Sequence, residues 1–417
     1  MLDTNVIFAA ALGITEPWYV ESVEFNSEAK KLEIHLNFKK GSKFPFFNED
    51  GSIESNSAYD TVEKRWRHLN FFQHECYLIA RIPRIKNQAD KIQTYSPDWG
   101  GLSNGFTLLF EAVLLQLAKD MPVNRIAKLL NVSDKLIWYV LERYVSQARE
   151  FENYEDVSKI GVDETSLSKG HNYISMFVDL EKRRTIFVAE GRSNETVKQF
   201  KNDFTEHNGD VLQITDVSCD MSPAFIKGVK ENLPNAEITF DKFHVLKIIN
   251  EAVDTVRREE VKHNPILLGK RYIFLKNEVN LTAKQRQEKQ KLILSEVNLK
   301  SMEALNMRET FQQIYHAQSD IEFVLLLTKW HEWVSNSALE PMKKSAEMVK
   351  KHWDGIVQWK KSQINNGILE GLNSVIQAAK RKARGYKMKH LKTIAYLVTS
   401  NLNFGKLNYA CQPTEKA

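Results

Sequence analysis

The chain has 417 residues, of which 42% are hydrophobic and 27% charged, and its formal net charge is +5. These fractions are typical of a globular protein, and the length predicts two to four domains. The cysteines Cys76, Cys219 and Cys411 are too far apart for a disulfide framework or a cysteine zinc site. No long apolar run occurs and no basic segment followed by an apolar stretch begins the chain, so neither a membrane span nor secretion is expected. A reducing, cytoplasmic setting fits best.

The first hundred residues are predicted to form a small β-rich module. Val20–Phe25 and Leu32–Phe38 alternate apolar and polar side chains, as half-buried strands do. The polar stretches at residues 48–58 and 86–98 are predicted to be loops.

Residues 101–150 change to helical periodicity and are predicted to form a helix-turn-helix domain. Its two helices are Val123–Leu130 and Asp134–Tyr144, and Asn131 between them can adopt the left-handed turn conformation. The second helix is the one expected to face a DNA groove. Its candidate contacts are Lys135, Trp138, Tyr139 and Arg143. The alternative is an amphipathic helix pair that only packs.

Residues 158–241 have the pattern of a mixed sheet flanked by helices. Three consecutive strands predict an antiparallel meander, and a later strand–helix–strand unit predicts a right-handed parallel crossover. The predicted strands are 158–163, 172–179, 184–190, 211–219 and 236–240, and the predicted helices are 194–207 and 223–232. After Phe243 the chain becomes almost wholly helical, and a helix at 366–384 ends this stretch.

Three carboxylates in this part of the chain suggest a metal-dependent reaction on DNA. Asp163 and Asp220 each end a predicted strand, and Glu370 begins the polar face of helix 366–384. Two carboxylates at neighbouring strand ends and one from a packed helix can hold two Mg²⁺ or Mn²⁺ ions, which clamp the attacking and leaving oxygens of a phosphodiester. Glu164 competes with Asp163, but strand alternation directs it to the opposite face. The pattern predicts an enzyme that cuts and joins DNA.

Basic residues late in the chain indicate a polyanionic partner. No acidic residue occurs from Gly371 to Thr414, and such a one-sided cluster is typical of nucleic-acid binding, with a solvated helix face as the alternative. Asp241 and His244 either orient DNA phosphate or form a hydrogen-bonded pair at a strand–helix junction, and we favour the pair. The remaining candidate DNA contacts are Asn373, Lys380, Arg381, Lys382, Arg384, Lys387, Arg65, Arg67, Lys169 and His171.

Short segments spread over nearly the whole chain show a family likeness. Among them are Gly161-Val162-Asp163-Glu164, Asp220-Met221-Ser222, Phe240-Asp241-Lys242-Phe243-His244-Val245 and Asn366-Gly367-Ile368-Leu369-Glu370-Gly371-Leu372-Asn373. In this order they resemble the DDE transposases of bacterial insertion sequences, specifically the ISL3 family. The resemblance assigns Asp163, Asp220 and Glu370 to a metal-binding triad.

The resemblance also implies an α+β multidomain architecture and a function. It implies binding of double-stranded DNA at terminal inverted repeats, strand cleavage and strand transfer, in the nucleoid of the cytoplasm. Because both ends of an element must be brought together, a homodimer is expected. The expected domains are a β-rich N-terminal module at 1–100, a helix-turn-helix at 101–150, a ribonuclease-H-like catalytic domain at 155–244 and 362–405, and a helical insertion at 245–361.

One departure from the family concerns zinc. Family members usually carry an N-terminal zinc module with two Cys-Pro-x-Cys-like pairs, but these positions here read Phe44-Pro45-Phe46-Phe47-Asn48 and Asn87-Gln88-Ala89-Asp90. Phe and Asn cannot replace thiolates as zinc ligands, so no zinc is expected. Phe44, Phe46 and Phe47 are predicted to form an apolar plug instead. Stoichiometric zinc in a metal analysis would refute this prediction.

Two other functions fit the same residues. One is a catalytically silent, transposase-derived protein that binds DNA; the lost cysteines favour it and the intact triad argues against it. The other is a nuclease of the same fold that hydrolyses DNA without joining it.

Overall fold

The structure is a computed structural model that describes residues 3–102, 105–166, 173–294, 299–364 and 367–405. Backbone contacts divide the chain into two compact units. The first unit contains the residues up to Glu152 together with those from Ala378 onward, and the second contains Asn153–Gln377. The candidate residues Lys169 and His171 lie outside the described residues.

Eleven strands and fifteen α-helices are present in the described residues. The strands are β1 Trp18–Asn26, β2 Lys31–Phe38, β3 Lys43–Phe47, β4 Ile53–Phe71, β5 His74–Lys86, β6 Ile92–Thr94, β7 Lys159–Ser166, β8 Tyr173–Asp179, β9 Arg184–Glu190, β10 Asp216–Cys219 and β11 Glu237–Phe240. The helices are α1 Thr4–Ala11, α2 Leu108–Asp120, α3 Val123–Leu130, α4 Asp134–Glu150, α5 Asn194–Glu206, α6 Pro223–Asn232, α7 Lys242–Glu260, α8 Arg271–Leu275, α9 Ala283–Ile293, α10 Lys300–Ile314, α11 Asp320–Ser335, α12 Glu340–Lys351, α13 Trp353–Ser362, α14 Gly367–Ala383 and α15 Met388–Thr399. Among these helices, none has the length and apolar character that crossing a membrane requires.

The first unit contains a six-stranded sheet in the order β1-β2-β5-β4-β3, with β6 paired to β5. The predicted strands at Val20–Phe25 and Leu32–Phe38 are confirmed as the antiparallel pair β1–β2. The predicted loop at 48–58 is wrong in its second half, because β4 starts at Ile53 and pairs with β3 and then with β5. Side chains on this part of β4 are exposed or only half-buried, so no alternation of apolar residues marks the strand.

Two of the three phenylalanines of the predicted plug are buried in this sheet. Phe44 is 2% exposed and Phe46 5% exposed, and the ring of Phe44 lies 5.0 Å from the ring of Phe38. Phe47 is 58% exposed. The prediction is wrong for Phe47, because successive side chains of β3 point to opposite faces of the sheet.

Polar side chains join the two turns at which the resemblance would place zinc ligands. Asn87 donates a hydrogen bond to Asn48 Oδ1 at 2.9 Å, and its own Oδ1 accepts from the backbone N–H of Lys91 at 2.8 Å. Asn48 in turn donates to Glu54 Oε1 at 3.0 Å. A hydrogen bond between Asn87 and Asn48 therefore connects these turns.

The predicted helix pair is present as α3 and α4. Asn131, at φ 52°, makes the left-handed turn after α3. In the same unit, α15 packs against α4, and the ring of Trp138 stacks on that of His390 with centroids 3.8 Å apart. The residues from Ala378 onward, which the sequence assigned to the catalytic domain, are in the same compact unit as the helix-turn-helix.

The second unit contains a five-stranded mixed sheet in the order β11-β10-β7-β8-β9. The meander β7-β8-β9 is antiparallel, and β10 lies parallel to both β7 and β11, as predicted. Of the predicted strand at 211–219, only Asp216–Cys219 forms the paired strand β10. Val211–Gln213 instead form a 3₁₀ turn, because Asp210 caps it by accepting a hydrogen bond from Leu212 N at 2.9 Å.

The helices α7 to α13 confirm the helical character predicted for 245–361, and they share one apolar core with the sheet. Ile160 of β7 and Phe311 of α10 are both fully buried in this core. Trp330 is 1% exposed, and its indole N–H donates to the carbonyl oxygen of Met307 at 2.7 Å. The helical region is thus part of the same compact unit as the sheet.

Candidate active site

The parallel pairing of β7 with β10 brings two of the predicted carboxylates to one edge of the sheet. Ser218 lies beside Gly161 in the register, and two residues further along each segment are Asp220 and Asp163. Asp220 stands just beyond β10, where its Oδ1 accepts a hydrogen bond from Ser222 N at 2.9 Å. The prediction that Asp163 ends its strand is wrong, because β7 runs on to Ser166 and stays paired with β8 there. The two acids are neighbours because the parallel register of β7 and β10 aligns them.

Glu370 reaches the same edge because the start of α14 lies very close to β7. A Cβ atom added to Gly161 would lie 2.8 Å from a methyl group of Leu369 and 2.9 Å from a methyl group of Leu180. Leu369 and Leu180 are buried together in a small apolar cluster. Glycine at position 161 therefore lets the helix contact the strand two residues before Asp163, and Glu370 is the neighbour of the anchoring leucine.

The three carboxylates line one cavity of about 290 Å³. In the described residues, the ligand atoms of this triad do not all lie within 4.8 Å of one another, as those of Glu24, Glu33 and His35 in the first unit do. The ions of a two-ion site are roughly 3.5–4 Å apart, so its ligands are spread more widely than those of a single ion. The other residues lining the cavity are Val162, Glu164, Cys219, Asp241, Phe243, His244, Leu369 and Asn373.

Asp163 is half-buried and held in one orientation. Burial raises the pKa of its carboxyl group, and the charge of Asp220 acts in the same direction. Two hydrogen bonds oppose this rise, since Oδ1 accepts from Glu164 N at 2.8 Å and Oδ2 accepts from Asn373 Nδ2 at 3.0 Å. The amide oxygen of Asn373 accepts a further bond from the Thr165 hydroxyl. Both ends of the Asn373 amide are thus bound to β7, whereas the sequence predicted a contact with DNA.

Glu164 lines the same cavity as Asp163, although the alternation of side chains along a strand predicted that it would face away from Asp163. Burial raises its pKa to about 7, the charge of Asp220 adds to the rise, and Arg192 at 3.9 Å opposes it. Val162, Asp163 and Glu164 of β7 all line this cavity, so both faces of the strand contribute to it. In the sequence, only its position next to Asp163 indicates that Glu164 lines this cavity.

Asp241 and His244 form a hydrogen-bonded pair at the start of α7. Asp241 Oδ1 accepts from Phe243 N at 2.9 Å and so caps the helix, and Oδ2 lies 3.0 Å from His244 Nδ1. This bond raises the pKa of His244, and the charges of Asp220 and Asp163 add to the rise. Both side chains also line the cavity.

The predicted DNA contacts on α4 differ in exposure. Lys135 and Tyr139 are exposed, and Arg143 Nη1 lies 3.5 Å from the Tyr139 hydroxyl. Trp138 is half-buried, and its ring packs on His390 and against Tyr386 at a centroid distance of 5.8 Å. One face of the Trp138 ring is therefore covered within this unit.

The basic residues predicted to contact DNA outside α4 also differ in exposure. Arg67 is 5% exposed, and its Nη1 donates to the backbone oxygens of His68 and Cys76, unlike the accessible cation that the sequence predicted. Arg65 is exposed and pairs with Glu33 at 2.6 Å. Among the predicted contacts late in the chain, Lys380 is half-buried, and Arg381, Lys382, Arg384 and Lys387 are exposed.

Two family models match the chain. A model for transposases of the DDE type in the ISL3 family matches residues 160–395, which is more than half of the chain and includes all three acids of the cavity. A model for the helix-turn-helix domain of transposase family ISL3 matches residues 104–145, which include α3 and most of α4.

Curated relatives are similar to this chain over almost its full length. The transposase for insertion sequence element IS1001 of Bordetella parapertussis is 24% identical over 404 residues, or 93% of this chain and 96% of the relative. The transposase for insertion sequence element IS1557 of Mycobacterium tuberculosis is 21% identical over 413 residues, or 91% and 92% of the two chains.

Proposed function

Because the chain belongs to the ISL3 family of DDE transposases, we propose that its second unit is a ribonuclease-H-like catalytic domain that cuts DNA at the terminal inverted repeats of an insertion element and joins the ends to new DNA. The observation that carries the proposal is that Asp163, Asp220 and Glu370 line one cavity although they come from three separate elements. The mixed sheet, with its meander and two parallel strands, supports the proposed fold.

The residues of the cavity fit a pair of Mg²⁺ or Mn²⁺ ions. Hard divalent cations prefer oxygen ligands, and Asp163, Asp220 and Glu370 would hold them. Mutual repulsion contributes to the raised pKa values of Asp163 and Glu164, which is the effect that a bound cation relieves. When bound, such ions stabilise the charge on the attacking and leaving oxygens of an in-line displacement.

The chain's own residues fix the geometry of this site. Asn373 and the backbone N–H of Glu164 each donate to one oxygen of Asp163, so the orientation of this carboxylate is fixed. Asp241 orients His244 through a hydrogen bond at Nδ1. An ionised carboxylate only accepts hydrogen bonds, so Nδ1 is the donor of this pair. In this proposal the Asp241–His244 pair is structural and stabilises the start of α7, which forms one wall of the cavity.

The first unit recognises DNA in this proposal. Its helix-turn-helix belongs to the ISL3 family, and Lys135, Tyr139 and Arg143 on α4 would contact base edges. The exposed cations after Ala378, with Arg65, would neutralise phosphates. A homodimer would hold both ends of the element together.

Cleavage of a duplex that carries one element end, taken from the DNA bracketing the coding region, tests the proposal. Asp163→Asn, Asp220→Asn and Glu370→Gln are each expected to bind the duplex like the unaltered protein and to cut it at least about 100-fold more slowly, because each loses a charge that holds the ions. Glu195→Gln, which changes an exposed acid on α5, is the control. Retained Mg²⁺-dependent nicking by Asp163→Asn contradicts the assignment.

The unaltered protein distinguishes the alternative functions in the same assay. Binding without any cleavage identifies a catalytically silent DNA-binding protein. Cleavage without transfer of the cut end to a second DNA identifies a nuclease.

A further inference from the structure

A second cavity, of about 480 Å³, adjoins the catalytic cavity in the same unit. Asp241, Phe243 and Glu370 line both cavities. Its volume is within the roughly 300–1,000 Å³ of sites that hold small organic molecules, so a flat ring the size of a nucleobase fits. The other residues lining it are Lys242, Leu246, Trp359, Gln363, Ile364 and Gly367.

Phe243 stands at the boundary between the two cavities. It is the second residue of α7, and its side chain is 59% exposed. The bond from its backbone N–H to Asp241 at 2.9 Å fixes the chain at this position. A ring so exposed adds little to the core, but it offers a face on which a base can stack beside the acidic triad.

Trp359 and Lys242 give the wall of the second cavity an aromatic and a cationic part. The ring of Trp359 packs edge-on against that of Tyr315 at a centroid distance of 4.7 Å, so it is held by the core. Lys242 Nζ lies 4.5 Å from the Tyr315 ring and 5.5 Å from the Trp359 ring. An ammonium group held there can interact with the carbonyl oxygens of a base or with the adjoining phosphate.

We propose that the second cavity receives one unstacked nucleobase of the strand that is cut, and that Phe243 stacks on this base. The inference rests on the proposed function, because it takes the cut phosphate to lie at Asp163, Asp220 and Glu370. These acids line a cavity, whereas the phosphates of a stacked duplex follow a regular backbone that resists local bending. A base that leaves the stack lets the phosphate approach, and an aromatic surface beside the site offsets the lost stacking.

Cleavage rates on an element-end duplex test the stacking role. Phe243→Ala is expected to cut the intact duplex about 5- to 150-fold more slowly, the range that loss of one base–aromatic stack gives, and Phe243→Trp is expected to keep the rate. An abasic site next to the cut is expected to restore the rate of Phe243→Ala, because no base then needs the ring. Tyr272→Ala, at a similarly exposed aromatic (57%) in the same unit, is the control.

A binding measurement with the full chain in metal-free buffer separates this inference from catalysis. The fluorescence of 2-aminopurine is quenched in stacked DNA, so the probe is placed at successive nucleotides across the element end. One position is expected to brighten with the unaltered protein and less with Phe243→Ala. No brightening at any position, or equal cleavage by Phe243→Ala, overturns the inference and leaves the proposed cleavage standing. If one position brightens in metal-free buffer but the unaltered protein cuts no DNA in the separate assay with Mg²⁺, the base cavity is supported and the proposed catalysis is contradicted.

Discussion

At the scale of single residues, Asn373 holds the carboxylate of Asp163 and is itself held by Thr165. The amide donates to Asp163 Oδ2 at 3.0 Å and accepts from the Thr165 hydroxyl. A side chain that orients a metal ligand acts on how the site uses ions, whereas a side chain that touches DNA acts on affinity. One variant of Asn373 can therefore show whether the side chain orients Asp163 or contacts DNA, because the two roles affect different measurements.

Asn373→Ala is expected to cut DNA about 10- to 100-fold more slowly at fixed Mg²⁺, the usual cost of losing a group that orients a metal ligand. The Mg²⁺ concentration for half-maximal cleavage is expected to rise, while the affinity for the element end stays unchanged. Ser374→Ala, at the next and exposed position of α14, is the control. Weaker DNA binding with unchanged cleavage of bound DNA shows that Asn373 contacts DNA instead.

Glu164 is expected to make the metal-free protein less stable as the pH rises. Burial raises its pKa from 4.5 to about 7, so between these values the folded chain keeps a proton that the unfolded chain has lost. The free energy of unfolding therefore falls over this window, by about 1–2 kcal/mol because solvent screens a half-buried group, and Asp163 adds to the fall. Denaturation of metal-free protein at pH 5 and pH 7.5 measures it. Glu164→Gln is expected to reduce the pH dependence, and an unchanged dependence contradicts the prediction.

At the scale of elements, the contact between β7 and α14 sets the position of Glu370. Gly161→Ala would place a Cβ 2.8 Å from Leu369, so either the core strains by about 1–3 kcal/mol or α14 moves. A displacement of α14 by about 1 Å is expected to lower the cleavage rate on the order of 100-fold with DNA binding kept. Thermal melting of the variant measures the strain in the core, and its cleavage rate measures the effect of moving α14.

Gly371→Ala is a matched control for this variant. It lies in the same helix, and its added Cβ meets nothing within 4 Å. It is expected to be neutral or to raise the free energy of unfolding by up to about 1 kcal/mol, because glycine is a poor helix former. In the Gly161→Ala background, Leu369→Val makes room for the methyl group and is expected to recover cleavage. If Gly161→Ala alone cuts at the normal rate, the contact does not position Glu370.

Elements with local signals were predictable from the sequence, and those set by distant partners were not. Asn131 and Ser133 mark the turn between α3 and α4, and the helix limits there agree with the prediction. Strand β4 was partly missed because its polar side chains show no apolar alternation and its partners are β3 and β5. The bond between Asn373 and Asp163 joins residues 210 positions apart, and no local pattern announces such a contact.

At the scale of the whole molecule, two separate stretches of the described chain, one up to Glu152 and one from Ala378 onward, form one unit. Arg149 of α4 donates to the Tyr396 hydroxyl of α15, and Lys389 pairs with Glu142 at 2.6 Å. The residues after Ala378 therefore complete the unit of the helix-turn-helix, and the second unit lies between its two segments in the sequence. The sequence placed these residues in the catalytic domain because the helix that carries Glu370 runs on without a break to Ala383.

The exposed cations after Ala378 belong to the same unit as the helix-turn-helix. We expect that variants of these cations change the affinity for phosphate, whereas variants of α4 change the preference for sequence. The triple variant Arg381→Gln, Arg384→Gln and Lys387→Gln should weaken binding to every duplex, since these exposed cations recognise charge alone. Each phosphate contact contributes about 0.9 to the slope of log affinity against log salt, so the slope should become about 2.7 shallower.

Tyr139→Ala provides the contrast, because a side chain on α4 that touches base edges changes preference and not charge. It is expected to keep the salt slope and to lose part of the preference for element ends over unrelated DNA. Fluorescence anisotropy between about 50 and 200 mM salt measures both quantities on the full chain. A triple variant with an unchanged slope shows that Arg381, Arg384 and Lys387 belong to a solvated helix surface and do not contact phosphate.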